Sequence, residues 1–219
     1  MFIKKIISIP KSLWVNFKYL PLNQAFKFPI CISYKANILC KGKIKITSKN
    51  VSFAMIRIGF HEVPICNKND ETNILIDRGG SIEFKGCVHI GNGSKMYIAE
   101  NAKLSIGENF AISASSAINC YKDIKFGKDI QFSWNCLVMD SDTHDIFDAQ
   151  GSIINEARSI VIGDKVWIGC NSTILKGSVI PPNCVIGANS LVSGNRFKEN
   201  TIILGNPAKS VKDIDSWQL

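Results

Sequence analysis

From Ile162 an aliphatic residue returns every six positions, at Ile162, Ile168, Ile174, Ile180, Ile186 and Val192. Ile, Val and Leu make up about a quarter of the chain, so such a run arises by chance on the order of once in a few thousand starting frames. A period of six matches neither the helical turn nor the alternation of a plain strand. It is the pattern of short strands stacked with regular corners, the large aliphatic inside each flat side and a small residue at the corner. Four residues after each aliphatic stand Val166, Ser172, Ser178, Cys184, Ser190 and Arg196. Four of these six are small. Gly follows the aliphatic at 163, 169 and 187, where it is expected to supply backbone freedom at the turn. Each coil of such a solenoid buries its apolar face only against its neighbours.

The rhythm runs upstream less strictly. Ile106, Ile112 and Ile118 are six apart, as are Phe126, Phe132 and Val138, while Ile90 and Ile98 extend it with steps of eight. A step of eight is a hexad with two extra residues at a corner. The rhythm breaks between Val138 and Ile162, and residues 145–159 read as a loop thrown out from the coil. Long loops in compact folds tend to carry function. Ile outnumbers Leu by 34 to 11, a balance that favours strands. The expected fold is therefore all-β. Residues 51–205 form the repeat domain, 1–50 an N-terminal extension and 206–219 a C-terminal turn and tail. Within the extension, 11–28 read as short helices around Pro21, and 43–60 alternate like a strand leading into the coil. Residues 210–219 read as a tail with helical character.

Charge is distributed unevenly. Residues 1–61 hold ten Lys, Arg57 and no Asp or Glu. Residues 62–219 hold 15 basic and 18 acidic residues, a net of −3. The formal +8 is thus a property of the N-terminal quarter, not of the whole molecule. Trp14, Phe17, Tyr19 and Phe26 interleave with Lys11, Lys18 and Lys27. Two readings stand: a peripheral membrane contact through residues 1–61, or a helical cap on the open end of the coil with a solvated basic face. No nucleic-acid motif is present. The eight Cys form no C-x-x-C pair and no metal-type spacing, which points to reduced thiols in the cytoplasm and to no metal. No run approaches the ~18–20 apolar residues of a membrane-spanning helix.

The unbroken hexads from Ile162 to Val192, GNPAK at 205–209, and MDSDTHDIFD at 139–148 followed by IGDKVWIG at 162–169 together resemble the hexapeptide-repeat O-acetyltransferases of polysaccharide and capsule biosynthesis. The lead-in PKSLWVNFKYLPLNQAFKFP resembles that of acyltransferases in polysaccharide gene clusters. The resemblance implies a left-handed parallel β-helix and a homotrimer with sites between subunits. It also implies transfer of acetyl from acetyl-CoA, the co-substrate, to a sugar hydroxyl. Two departures stand out: NRFKENTIIL precedes GNPAK, and Arg196 takes a corner that is small elsewhere.

Acyl transfer from a thioester needs a base, a donor for the developing oxyanion, and positioning. His suits a base near neutral pH. Of His61, His89 and His144, only His144 stands at the mouth of the loop. The family match makes it the base and leaves the other two structural. Asp142, at the hexad corner, is the candidate to orient the imidazole or bind the acceptor. Asp140 and Asp145 are candidate acceptor ligands. Trp167 should project outward, and the resemblance places it beside the acetyl group or the acceptor. A packing contact between subunits is the other reading of this Trp. In related galactoside acetyltransferases the residue matching Cys170 offers a backbone N–H to the thioester oxygen. Gly169, Cys170, Gly187, Ala188, Ser193, Asn206, Pro207 and Lys209 are the expected coenzyme contacts, with Arg196 and Lys198 near its 3′-phosphate. A solenoid scaffold or binding module without catalysis is the alternative. A γ-type carbonic anhydrase on the same fold is disfavoured, because the three His share no local spacing.

Overall fold

The computed structural model describes residues 6–60 and 63–218. Among the described residues, helices α1 (Ile9–Tyr19) and α2 (Leu22–Ala25) precede twenty-two short strands. The strands fall into three sheets, every third strand returning to the same sheet. All neighbours pair in parallel except the last pair, β21 (Thr201–Gly205) with β22 (Ala208–Asp213), which is antiparallel. The chain therefore winds as a three-sided prism, a left-handed parallel β-helix. This is the handedness the resemblance implies, and it runs against the right-handed rule for βαβ crossovers.

The registers explain the hexads. One inward column runs Ile32, Ile58, Ile90, Ile112, Phe132, Ile168, Ile186 and Ile203, each paired with the next. A second runs Ile38, Ile74, Met96, Ile118, Val138, Ile174 and Val192. These side chains are 7% exposed or less, and each is worth about 1.5–3 kcal/mol relative to exposure. Phe110 and Phe132 of one sheet and Phe126 of another meet at centroid distances of 5.1–5.6 Å and fill the interior of the prism.

Corners follow a rule different from the one the sequence suggests. The left-handed backbone falls three residues after the inward aliphatic, at Lys165, Asn171, Gly177, Asn183 and Asn189. Asn tolerates that region better than other side chains. The glycines at 169 and 187 serve close approach instead. A Cβ on Gly169 would lie 2.7 Å from the amide nitrogen of Ala188 and the carbonyl of Ile186, in the coil above.

The coil also starts about twenty residues ahead of the boundary expected at residue 50. Strands β1 (Ile30–Ile32), β2 (Ala36–Cys40) and β3 (Lys43–Ile46) form its first turn. Ile32, Ile38 and Ile44 are themselves six apart, but the rhythm then skips to Ile56. A second excursion, between β4 (Ile56–Ile58) and β5 (Thr72–Ile76), interrupts it again. His61 lies outside the described residues. The tail is strand rather than helix, because β22 pairs back on β21 and closes the nine-stranded sheet that begins at β1, sheet one.

The helices cover the open edge of the first coil with polar side chains. Asn16 Nδ2 donates to the Ile30 carbonyl at 2.7 Å, and its Oδ1 accepts from the Ile30 amide at 3.1 Å. Ser12 Oγ accepts from the Ile32 amide at 3.0 Å, and Ser8 Oγ from that of Tyr34 at 3.0 Å. Tyr19 reaches the Ile38 carbonyl of β2, and Gln24 the Ile46 carbonyl of β3. All three open sheet edges thus receive hydrogen bonds from the helical segment, which manages the edge-strand liability. Asn16 is fully buried. Asn16→Ala should cost about 2–3 kcal/mol, since it orphans a buried donor and a buried acceptor. Urea unfolding checks this, and a change within experimental error would contradict the edge-capping role.

Candidate active site

The loop leaves the coil after β14 (Leu137–Met139) and returns at β15 (Ile160–Ile162), as the broken rhythm suggests. Asp140 stands at its root. The carboxylate is fully buried and accepts from the amides of Tyr121 at 2.6 Å and of Lys122 and Asp123 at 2.9 Å. Its own carbonyl accepts from the Arg158 amide, where the loop comes back. Asp140 is therefore no acceptor ligand, because backbone amides of the coil beneath saturate its carboxylate. Sequence reasoning places it in the loop's polar surface; the fold turns it inward.

Asp142 is also engaged elsewhere than expected. Its Oδ2 accepts from Lys176 Nζ at 2.5 Å and from Asn155 Nδ2 at 2.9 Å. The structure thus corrects its role as orienter of His144, since the carboxylate bonds to Lys176 and Asn155 and no hydrogen bond joins it to the imidazole among the described residues. Asn155 is the hub. Its Nδ2 also donates to the His144 carbonyl at 2.7 Å, its Oδ1 accepts from the Ile146 amide at 2.7 Å, and its backbone carbonyl accepts from Lys176. Beyond it the loop folds as a short antiparallel excursion through Phe147 and Ile153. Lys176 and Asn155 are the functional residues that sequence reasoning missed. Their one signal is a lysine on the coil above the loop.

His144 and Asp145 are both exposed, and no hydrogen bond joins either side chain to another group among the described residues. The base candidate thus has its backbone fixed by Asn155 and its imidazole free to meet an acceptor. His89, in contrast, lies in mid-sheet between Arg57 and Ala111.

The Trp167 side chain projects outward from β16 (Trp167–Ile168), 42% exposed. Its indole N–H donates to Ser133 Oγ at 3.2 Å. Trp217 of the tail packs beside it at 6.3 Å and is anchored by its own N–H to the Lys165 carbonyl at 2.8 Å. Trp167 sits on sheet one, whereas the His144 loop leaves the corner between the other two sheets. A single chain does not bring the two together.

The expected coenzyme contacts divide into two groups. Gly169, Cys170, Gly187, Ala188 and Asn206 lie at successive levels of one corner. Gly169 is buried, and a Cβ on Gly187 would lie 2.7 Å from that of Leu204. The space over Gly187 is thus taken by β21 and is not open to a pantetheine arm. Ala188 and Asn206 are exposed beside it. Ser193, Pro207 and Lys209 instead line a groove of about 940 Å³ at the C-terminal end, together with Arg196, Lys198 and Lys212. Four cations in one groove suit a phosphate group.

All eight cysteines are free. Burial pushes the Cys136 thiol up to about 11, and raises those of Cys120 and Cys184. These three act as small apolar filling, not as nucleophiles. Among the described residues no three His, Cys, Asp or Glu side chains cluster as metal ligands do.

The family model for the bacterial transferase hexapeptide, six repeats, matches residues 159–194. An uncharacterized 24.8 kDa protein in the cps region of Klebsiella pneumoniae is 30% identical over 189 residues, covering 84% of this chain and 83% of that protein. The putative lipopolysaccharide biosynthesis O-acetyl transferase WbbJ of Escherichia coli is 49% identical over 57 residues, 26% of this chain and 29% of that protein. The chain spans less than half the length of two curated acetyltransferases it matches, WbbJ among them. The solved polySia specific acetyltransferase NeuO shares the fold, with a TM-score of 0.59 and 24% identity over 84% of this chain and 88% of that one. The chain belongs to the hexapeptide-repeat transferases.

Hydrogen bonds from Lys176 and then Asn155 hold the Asp142 carboxyl below the usual carboxylate range. A depressed folded pKa means that the contact is present above the ordinary carboxylate value and is lost as pH falls through the depressed one. Lys176→Met should therefore release the loop at a higher pH than in the wild type. Pepsin cleavage within 145–159, followed against pH, checks this. Superimposable profiles would show that Lys176 does not pin the loop.

Proposed function

We propose that this protein is an acetyl-CoA-dependent O-acetyltransferase whose acceptor is a sugar hydroxyl of a surface polysaccharide or its precursor. The observation that carries the reading is His144, exposed and unbonded at the mouth of a loop whose backbone is pinned by Asn155 and Lys176. The named activity of the E. coli lipopolysaccharide relative supports the acyl group and the acceptor class. So does a second E. coli relative, polysialic acid O-acetyltransferase, 29% identical over 136 residues.

In the reaction the His144 imidazole takes the proton of the sugar hydroxyl as its oxygen bonds to the acetyl carbonyl carbon. Collapse of the tetrahedral species breaks the carbon–sulfur bond, and the imidazolium returns the proton to the leaving CoA thiolate. The products are an O-acetyl sugar and free CoA. The backbone amide of Cys170 is the proposed oxyanion donor. Asp145, left open beside His144, is the proposed acceptor ligand. Lys209 and its basic neighbours in the C-terminal groove are proposed to meet the coenzyme phosphates.

A homotrimer follows in this reading, because His144 and Trp167 lie on different faces of one chain. Packing three prisms side by side would set the loop of one subunit against the first sheet of the next. The exposed Ile146, Phe147, Ile153 and Ile154 on the loop then gain a partner surface. Localisation on the cytoplasmic side belongs to the same proposal, since acetyl-CoA is supplied there; no helix among the described residues is long and apolar enough to cross a membrane.

Thiol release from acetyl-CoA over a panel of capsule-type oligosaccharides tests the activity. His144→Ala should lower kcat about 10²- to 10⁴-fold with little change in KM for acetyl-CoA. Equal background release by wild type and variant across the panel would favour a scaffold without catalysis. Lys209→Ala should raise KM for acetyl-CoA about tenfold with kcat retained, the loss of one charge-assisted hydrogen bond. Steady-state kinetics with acetyl-CoA varied checks this. An unchanged KM would remove Lys209 from the coenzyme site.

A further inference from the structure

The N-terminal helix is amphipathic in the reverse of the usual sense. Beside the buried Val15, its inner face is polar: Ser8, Ser12 and Asn16 repeat every fourth residue, Ser12 and Asn16 bonding to the backbone of β1 and Ser8 to that of Tyr34 just beyond it. Its outer face is apolar. Ile9 is 52% exposed, Leu13 40%, Trp14 49% and Phe17 42%, and Phe26, just past α2, continues the patch at 66%. Phe17 and Phe26 pack edge to face at 5.2 Å, so the patch is ordered rather than scattered. Contiguous exposed apolar surface of this kind marks an interaction site.

Its border is cationic. Lys18 lies over the Trp14 ring at 4.1 Å, and Lys27 follows Phe26 on the exposed side of α2. Residues 1–61 contain no acid at all. The helix therefore has an apolar stripe flanked by lysines, on a segment whose net charge is +11. A second copy of this face would bring like charge against like charge. An anionic surface with an apolar interior answers both features at once.

We infer that the outer face of the N-terminal helical cap is a docking surface for an anionic lipid bilayer. The apolar side chains enter the boundary between headgroups and acyl chains, and the lysines meet the lipid phosphates. The docking needs no span, and it stands apart from the acetyl transfer, since none of these residues belongs to the loop or the groove.

Flotation of the full chain with phosphatidylglycerol–phosphatidylethanolamine vesicles tests it, against phosphatidylcholine vesicles and at low and high salt. The protein should float with the anionic vesicles at low salt and stay at the bottom with phosphatidylcholine. Lys18→Ala with Lys27→Ala should lower partition about thirtyfold, at about 1 kcal/mol for each lysine near the surface. Leu13→Ser with Phe17→Ser should lower it comparably. Both double variants should keep the wild-type thermal midpoint, because every substituted side chain is exposed. Failure to float, or equal flotation of wild type and both variants, overturns the inference. So does a fall in oligomeric mass for the serine variant, which would assign the face to a second copy. Thiol release with a soluble acceptor, run on the same samples, reads the proposed activity separately. Loss of flotation with release intact separates the two outcomes.

Discussion

No single coil of this prism has an interior of its own. A strand in the coil is two to five residues long and buries one to three side chains, whose partners outside their own coil come only from the coils above and below. The whole structure therefore depends on columns of aliphatic side chains kept in register by parallel pairing. Such a stack is stable in its middle and vulnerable at its ends, where a column has a neighbour on one side only and a sheet edge shows unpaired backbone. The two ends meet this differently. The first coil is closed by Ser, Asn, Tyr and Gln side chains from helices. The last is closed by the β21–β22 hairpin, with Thr201 bonded to both the Lys198 carbonyl and Ser210.

Corners are the places where such a fold admits chemistry, since the flat sides are committed to pairing and packing. The 140–159 excursion shows how a loop gains a defined position on a rigid frame. Asp140 ties its root to the coil beneath through three amides. Lys176, on the coil above, ties its body through Asp142 and Asn155. The loop is held from below and above, and His144 lies between the two ties. Of the three aspartates around the histidine, two hold structure and only Asp145 is left open. Local abundance of carboxylates thus overstates how many of them can act on a substrate.

The architecture was legible wherever the hexads are strict. Ile162 to Val192 alone defines the coil, and its break locates the loop to within a few residues. The start of the coil was hidden for a physical reason. Ile32, Ile38 and Ile44 keep the spacing, but lysines at 41, 43 and 45 dominate the local composition, and the excursion after β4 shifts the phase. The corner glycines misled because the spacing does not distinguish a residue needing positive φ from one needing no Cβ. The buried role of Asp140 was invisible, since its partners are backbone amides 17 to 19 residues away.

That helix also bears on where the chemistry takes place. A helix serving only as a cap would bury an apolar face and show a polar one. Here the need to satisfy strand edges places Ser12 and Asn16 inside beside Val15, and Trp14 and Phe17 are left outside. On a bilayer engaged through the cap, the coil rises away from the surface at about 4.8 Å per turn, the spacing of paired strands. The His144 loop belongs to the fifth turn, and so stands roughly 20 Å above the first. The basic groove, at the seventh, stands roughly 29 Å above it. A sugar directly attached to a lipid phosphate would lie below the reach of the loop. A chain several residues long, extending from its anchor, would pass beside it. Under the proposed docking and the proposed acyl transfer, the height of the coil favours an elongated, membrane-linked glycan over a single lipid-bound sugar, and leaves the proposed coenzyme groove open to the aqueous side.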